Sequence, residues 1–305
     1  MKLRIAGLVV AILAAGAACK KPESGAPPAP AGSADPWRGS AKNPLLHPLF
    51  WAIERDGQTT YVLGTMHMGI DPDARIPDAV WSRLDAAPAF AMETDLSRAG
   101  ELDVMRHDGG SLHADLGAAY WKKLEAALGA EKARGIDGMK PMIPATLLSM
   151  MGLPETPAMD GALFARASRE HKRIVFLEPI EREEQVLEKW MDVRALEGML
   201  DDVPASEQHS KDMLAAYVAG DEARIQALAD SEREDFKKTG RTDAEYDQQM
   251  EDLLYARNAS WVPEIEALHA AGGGFVAVGA MHLIGPRSVL DLLRQRGYNV
   301  TRLTP

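Results

Sequence analysis

The 305-residue sequence contains a single cysteine, Cys19. That excludes an internal disulfide and a multi-thiolate metal site, so a folded domain downstream of it must hold together by packing. Positive charge is also short. There are 34 Lys and Arg against 45 Asp and Glu, a net charge of −11. A balance of that sign lacks the basic footprint of a nucleic-acid-binding protein and gives no charge attraction to an anionic membrane surface. The apolar run Leu8–Ala18 is too short to span a bilayer, and no repeat of solenoid period is present. What remains is a chain 46% hydrophobic and 26% charged, ordinary for a globular protein and long enough to bury a substantial core.

The first 44 residues explain themselves by composition. Lys2 and Arg4 form a short basic region, Leu8–Ala18 is apolar, and Gly16-Ala17-Ala18 leads into Cys19. This pattern resembles a bacterial lipoprotein signal (residues 1–18) with Cys19 as the lipidated first residue, although Gly16 stands where leucine is more usual. The implied location is the cell envelope, with the chain lipid-anchored to a membrane and facing the periplasm or exterior. Loss of residues 1–18 removes two basic residues and leaves 32 against 45, a net charge of −13. Residues 19–44, rich in Pro, Ala, Gly and Ser, read as a flexible tether, so membrane contact is expected through the lipid only.

From about residue 45 the texture changes. Phe50–Arg55 and Thr59–Leu63 flank Asp56-Gly57, a hairpin signal. Helices are expected over 78–86, 120–129, 159–170 and 286–296, and strands over 89–92, 174–177, 275–278 and 299–303. The stretch 181–270 reads as helical with breaks near Val203-Pro204, Gly220 and Gly240. This alternation predicts an α/β fold: a central, mostly parallel sheet flanked by helices, with a large helical insertion over about 181–270 in a domain spanning 45–305.

Two copies of one short pattern carry the chemistry. Gly64-Thr65-Met66-His67 follows the apolar run Tyr61-Val62-Leu63, and Gly279-Ala280-Met281-His282 follows Phe275–Val278. Each places a histidine just past the carboxyl end of a buried strand, where open α/β sheets build ligand sites. Two other expected strands end in Glu93 and Glu178. Two imidazoles and a carboxylate suit a divalent transition metal with open positions.

Each residue also has a plainer reading. A lone histidine after a strand is ordinarily a satisfied loop group, and only the repetition argues otherwise. Glu93 could cap the segment that follows or pair with a base. Glu178, before Pro179 and a Glu-rich helix, reads as a dipole-favoured helix start. His47, His107, His113, His171, His209 and His269 read as surface or structural. Arg257-Asn258 suits the orientation of a carboxylate or carbonyl oxygen, or else an ordinary helix face. The 15 methionines fit core gap-filling.

Taken together, Tyr61–His67, Met92-Glu93-Thr94-Asp95, Leu177-Glu178 with Gln185, Arg257-Asn258-x-x-Trp261, Val278–Leu283 with Gly285, and Leu292-Leu293-x-x-x-Gly297-Tyr298 resemble the TraB/GumN family. The resemblance runs from about Leu49 to Leu303. The family includes the animal Tiki proteins, membrane-tethered metalloproteases dependent on manganese or cobalt, and is similar to the erythromycin-esterase and ChaN-like folds. The resemblance implies His67 and His282 as metal ligands, Glu93 as a further ligand or general base, and Arg257 as an outer-sphere or oxyanion-stabilising group. It favours manganese or cobalt; zinc or iron would also suit the donor set. The expected activity is that of a metal-dependent hydrolase, a Tiki-like peptidase acting on a peptide or small-molecule substrate. The ChaN likeness offers an alternative, a non-catalytic haem- or ligand-binding lipoprotein.

Overall fold

The computed structural model describes residues 42–304. The expected signal segment, Cys19 and nearly all of the tether lie outside the described residues. Among these no helix is long and apolar enough to cross a membrane.

Among the described residues six strands form one sheet: β1 (Phe50–Arg55), β2 (Gln58–Thr65), β3 (Ala89–Met92), β4 (Arg173–Phe176), β5 (Gly274–Gly279) and β6 (Asn299–Arg302), in the order β4-β3-β5-β2-β1-β6. The hairpin β1–β2 turns at Asp56-Gly57, both with positive φ, as a two-residue turn of matching twist requires. β4, β3, β5 and β2 run parallel to their neighbours, while β1 pairs antiparallel with both β2 and β6. The mostly parallel sheet expected from the alternation of elements is therefore present. β3 and β5 are buried at every position, because helices cover both faces of a parallel sheet.

Among the described residues there are also thirteen α-helices. In chain order they are α1 (Pro72–Arg75), α2 (Asp78–Ala86), α3 (Leu112–Leu128), α4 (Ala130–Gly135), α5 (Met142–Ser149), α6 (Met159–Arg169), α7 (Ile180–Trp190), α8 (Val193–Asp201), α9 (Val203–Ala219), α10 (Glu222–Lys238), α11 (Asp243–Met250), α12 (Ala256–Ala270) and α13 (Val289–Gln295). Gly117, at φ 65, breaks α3 into two runs, so the 3.6-residue pattern reads cleanly only after it, from about residue 120. α5 had no separate signal: seven of its eight residues are buried, so it carries no polar face to mark the period.

The interior has two parts. One core joins the sheet to α2, α6, α12 and α13, with Phe90, Phe275, Trp261, Ile265 and Leu293 at its centre. The other is purely helical and draws on two separate stretches of chain. Leu112, Trp121, Met142 and Leu148 pack with Leu187, Trp190, Leu196, Phe236 and Leu254. The last helix of the 181–270 stretch, α12, faces the sheet. Met281 touches both cores, so the segment carrying His282 lies where they meet.

Candidate metal centre

The sheet order sets out the site. Along one edge, the carboxyl ends of β4, β3, β5 and β2 are followed by Glu178, Glu93, His282 and His67. β2 and β5 are direct neighbours, with Gly64 opposite Val278 and Thr65 opposite Gly279, so the two Gly-x-x-His segments leave the sheet side by side. On the other side of β5, Met92 of β3 lies opposite Ala277 and delivers Glu93 next to them.

Gly279 marks the point of convergence. A methyl group placed there would lie 3.3 Å from Glu93 Oε1, 3.6 Å from His282 Cδ2 and 3.7 Å from His67 Nε2. The backbone of Gly279 is at φ −52, so the glycine answers to space rather than to conformation. Its amide donates to Glu93 Oε1 at 2.6 Å, and Glu93 Oε2 lies 3.9 Å from His282 Nε2.

Both imidazoles are oriented from behind. His67 Nδ1 donates to Asp160 Oδ2 at 2.6 Å, and Thr65 Oγ1 donates to Asp160 Oδ1 at 2.6 Å. Asn258 Nδ2 donates to the Arg287 carbonyl at 3.0 Å, which turns Oδ1 toward His282 Nδ1 at 2.7 Å. The His282 proton therefore sits on Nδ1. His67 is left with Nε2 toward the glycine and His282 with Nε2 toward Glu93, as outer hydrogen bonds at Nδ1 leave metal-binding histidines. Trp261 packs on His282 with ring centroids 4.4 Å apart.

The carboxylates form a second layer. Glu178, read from the sequence as a helix-start residue, is instead 4% exposed and ion-paired: Arg257 Nε donates to its Oε1 at 2.8 Å and Trp261 Nε1 to its Oε2 at 3.2 Å. Pro179 occupies the N-cap position of α7, where no side chain caps the helix. Arg257 also donates to Glu93 Oε2 at 3.0 Å and, through Nη1, to the Leu253 carbonyl at 3.1 Å. It is thus a strut between two carboxylates. Glu183, on the first turn of α7, is buried and accepts from Thr94 Oγ1 at 3.0 Å.

The electrostatics favour a cation. Asp160, Glu93, Glu178 and Glu183 are buried; Arg257 is the permanent cation buried with them, and the more exposed Arg182 lies 3.8 Å from Glu178 Oε2. Burial alone would lower the pKa of His67, but the charge and hydrogen bond of Asp160, then the charges of Glu93 and Glu183, raise it to about 9. Burial raises Glu93, against the pull of Arg257, His67 and the Gly279 amide. Burial likewise lifts Glu183 to about 7, with Glu93 and Glu178 adding to it against Arg257. His282 is driven the other way: burial, then the charges of Arg257 and His67, hold it well below 6.5, and it stays a neutral donor.

The structure thus brings His67, Glu93, Glu178, Arg257 and His282 to one place. It adds Asp160 and Glu183, which were not singled out as site residues, and turns Asn258, read from the sequence as orienting an oxygen, onto the His282 ring instead. Among the described residues no three His, Cys, Asp or Glu side chains already stand in ligating geometry. Of the remaining histidines, His209 and His269 are buried. His209 pairs with Glu232 at 3.1 Å, and His269 contacts Thr60 Oγ1 at 3.0 Å and the Arg55 carbonyl at 3.1 Å, so both are structural.

Residues 49–302 match the model of the TraB/PrgY/gumN family. The chain belongs to that family. No curated protein and no solved structure matches it. The matched span begins at the strand hairpin and ends with the last strand of the sheet, so both Gly-x-x-His segments and every residue of the site of this TraB/PrgY/gumN member fall inside it.

Proposed function

We propose that this protein is a divalent-metal-dependent hydrolase, a peptidase of the Tiki type, tethered to a membrane of the cell envelope through lipid on Cys19. The observation that carries the reading is the convergence of His67, Glu93 and His282 on the bare Cα of Gly279. The donor set fits a divalent cation on three grounds. His282 Nε2 faces Glu93 and His67 Nε2 faces the same glycine, each ring is held by a hydrogen bond at Nδ1, and the surrounding buried carboxylates outnumber the buried cations. His67, His282 and Glu93 would hold the ion, manganese or cobalt by family likeness, with zinc or iron also suited to the set.

A bound ion of this kind supplies Lewis acidity and lowers the pKa of water. The chain's own residues do the rest. Asp160 and Asn258 fix the two imidazoles. Arg257, neutralised by Glu178, keeps Glu93 beside His282 and limits the rise of its pKa. That ties the guanidinium to protein acceptors, so its role is positioning rather than direct contact with a substrate oxygen. Without an ion, the carboxylates retain a proton on His67, which ion binding must displace. The acidic surroundings also disfavour the haem-binding alternative, since haem brings two propionates of the same sign.

The test is metal content by inductively coupled plasma mass spectrometry on untagged protein purified without chelator, beside the His67→Ala, His282→Ala double variant. The expected result is near-stoichiometric manganese, cobalt, iron or zinc, lost in the variant, followed by metal-dependent cleavage in a peptide library. Equal metal in both proteins, or none in either after reconstitution, would overturn the reading.

A further inference from the structure

One residue outside this donor set occupies a backbone conformation that its side chain does not favour. Arg287, in the loop between His282 and α13, has φ 59. A left-handed conformation costs an L-residue with a Cβ and is free for glycine. Two positions earlier the same loop uses Gly285 at φ 77. An arginine retained at such a position points to a task for its side chain.

That side chain reaches a second irregular element. Glu251–Tyr255 forms a π-helical turn between α11 and α12, a widened turn that occurs mostly as a local insertion in a helix and often beside functional sites. Arg287 spans it. Its guanidinium donates to both oxygens of Glu251, at 2.7 and 2.9 Å, and lies 4.3 Å from the ring centroid of Tyr255. The Arg287 amide is held by Asp291 Oδ2 at 2.8 Å. The Arg287 carbonyl accepts from Asn258 Nδ2, and Asn258 in turn holds His282.

We propose that Arg287 is a positioning residue: it clamps the loop 283–288 onto the π-helical turn and thereby fixes Asn258, and through it the tautomer and orientation of His282. A planar, bidentate and stacked contact of this kind needs arginine and is not reproduced by lysine. As an exposed ion pair it adds little to global stability, and its effect falls on the local chain Arg287–Asn258–His282. The catalytic weight of the clamp rests on the metal-site reading; the orientation of His282 does not.

The experiment separates the two. The full chain, metal-free and labelled with nitrogen-15 histidine, is compared by NMR with Arg287→Gly, Glu251→Gln and the unrelated surface variant Arg296→Ala. Arg287→Gly keeps the carbonyl and relieves the left-handed backbone, so the thermal midpoint should hold. Glu251→Gln removes the charge and one of the two acceptors from the other side. The expected result is a single Nδ1–H tautomer for His282 in the parent and in Arg296→Ala, and a mixture of tautomers in the two clamp variants. Manganese affinity, measured by titration, should fall about tenfold in both clamp variants, the low end for loss of an outer hydrogen-bond partner. An unchanged His282 tautomer in both clamp variants would overturn the proposal. A parent that binds none of manganese, cobalt, zinc or iron would overturn the metal reading alone and leave the NMR result to decide the clamp.

Discussion

Asp160 and His67 are 93 residues apart in sequence and share a 2.6 Å hydrogen bond beneath the cradle. Burial pushes the Asp160 carboxyl up, while His67 and the Thr65 hydroxyl outweigh it and hold the group below its ordinary range. Asp160→Asn keeps the shape and removes the charge. Metal affinity should fall by about 10- to 100-fold, as for other outer-shell partners of a ligating histidine, with Thr65→Val giving a smaller loss. Titration calorimetry with manganese checks this; equal affinity in Asp160→Asn would show that His67 does not need its partner.

Gly279 offers a test of space. A methyl there would press on Glu93 Oε1 at 3.3 Å and stand between the two imidazoles. Gly279→Ala should abolish metal binding and turnover while the protein still folds, since the backbone conformation is open to alanine. Circular dichroism and metal content on the same sample decide it. Full metal occupancy with normal activity would place the site elsewhere.

Glu178 and Arg257 form a buried pair in which neither partner can be removed alone without cost. Glu178→Leu leaves the guanidinium with only Glu93 and a carbonyl for company. Because Glu93 still faces the guanidinium, the expected loss falls below the ~3–5 kcal/mol of a fully uncompensated buried charge. The double variant Glu178→Leu, Arg257→Leu should recover much of that stability in urea unfolding but not metal affinity, because Glu93 then loses its strut.

Asp85 provides a pH-dependent contribution away from the site. Arg166 donates to both of its oxygens at 2.7 Å. Burial alone would raise the carboxyl; the hydrogen bonds and charge of Arg166, with Lys172 adding to them, lower it from its ordinary 3.8. A depressed carboxyl stabilises the fold above its unfolded pKa and loses that contribution as pH falls through its folded pKa. Asp85→Asn should therefore cost about 1 kcal/mol at neutral pH, allowing for partial exposure. The gap to the parent should close as the solution is acidified below 3.8. Urea midpoints measured across that range give the answer, and a gap independent of pH would assign the loss to packing.

Much of the fold was legible because its signals are local. The Asp-Gly hairpin, the all-apolar strands β3 and β5 and the glycines beyond Val278 and Leu63 each act within a few residues. Helix α3 was only half legible, since Gly117 breaks its period, and α5 hardly at all. The helical core defeats a linear reading for another reason: Trp121 and Phe236 belong to one cluster but to stretches of chain more than a hundred residues apart.

The sequence by itself determined that two histidines and two glutamates would each stand just past the end of a strand, because a buried strand, a glycine and a polar residue form a local signal. Only the tertiary structure decided that β2, β5, β3 and β4 lie in that order across one sheet, so that His67, His282, Glu93 and Glu178 form a row. The same holds for their partners. Asp160 could have capped α6, and Glu178 could have opened α7 in solvent. A carboxylate's role depends on burial and on the charge packed against it, which pairing across the chain supplies and composition cannot.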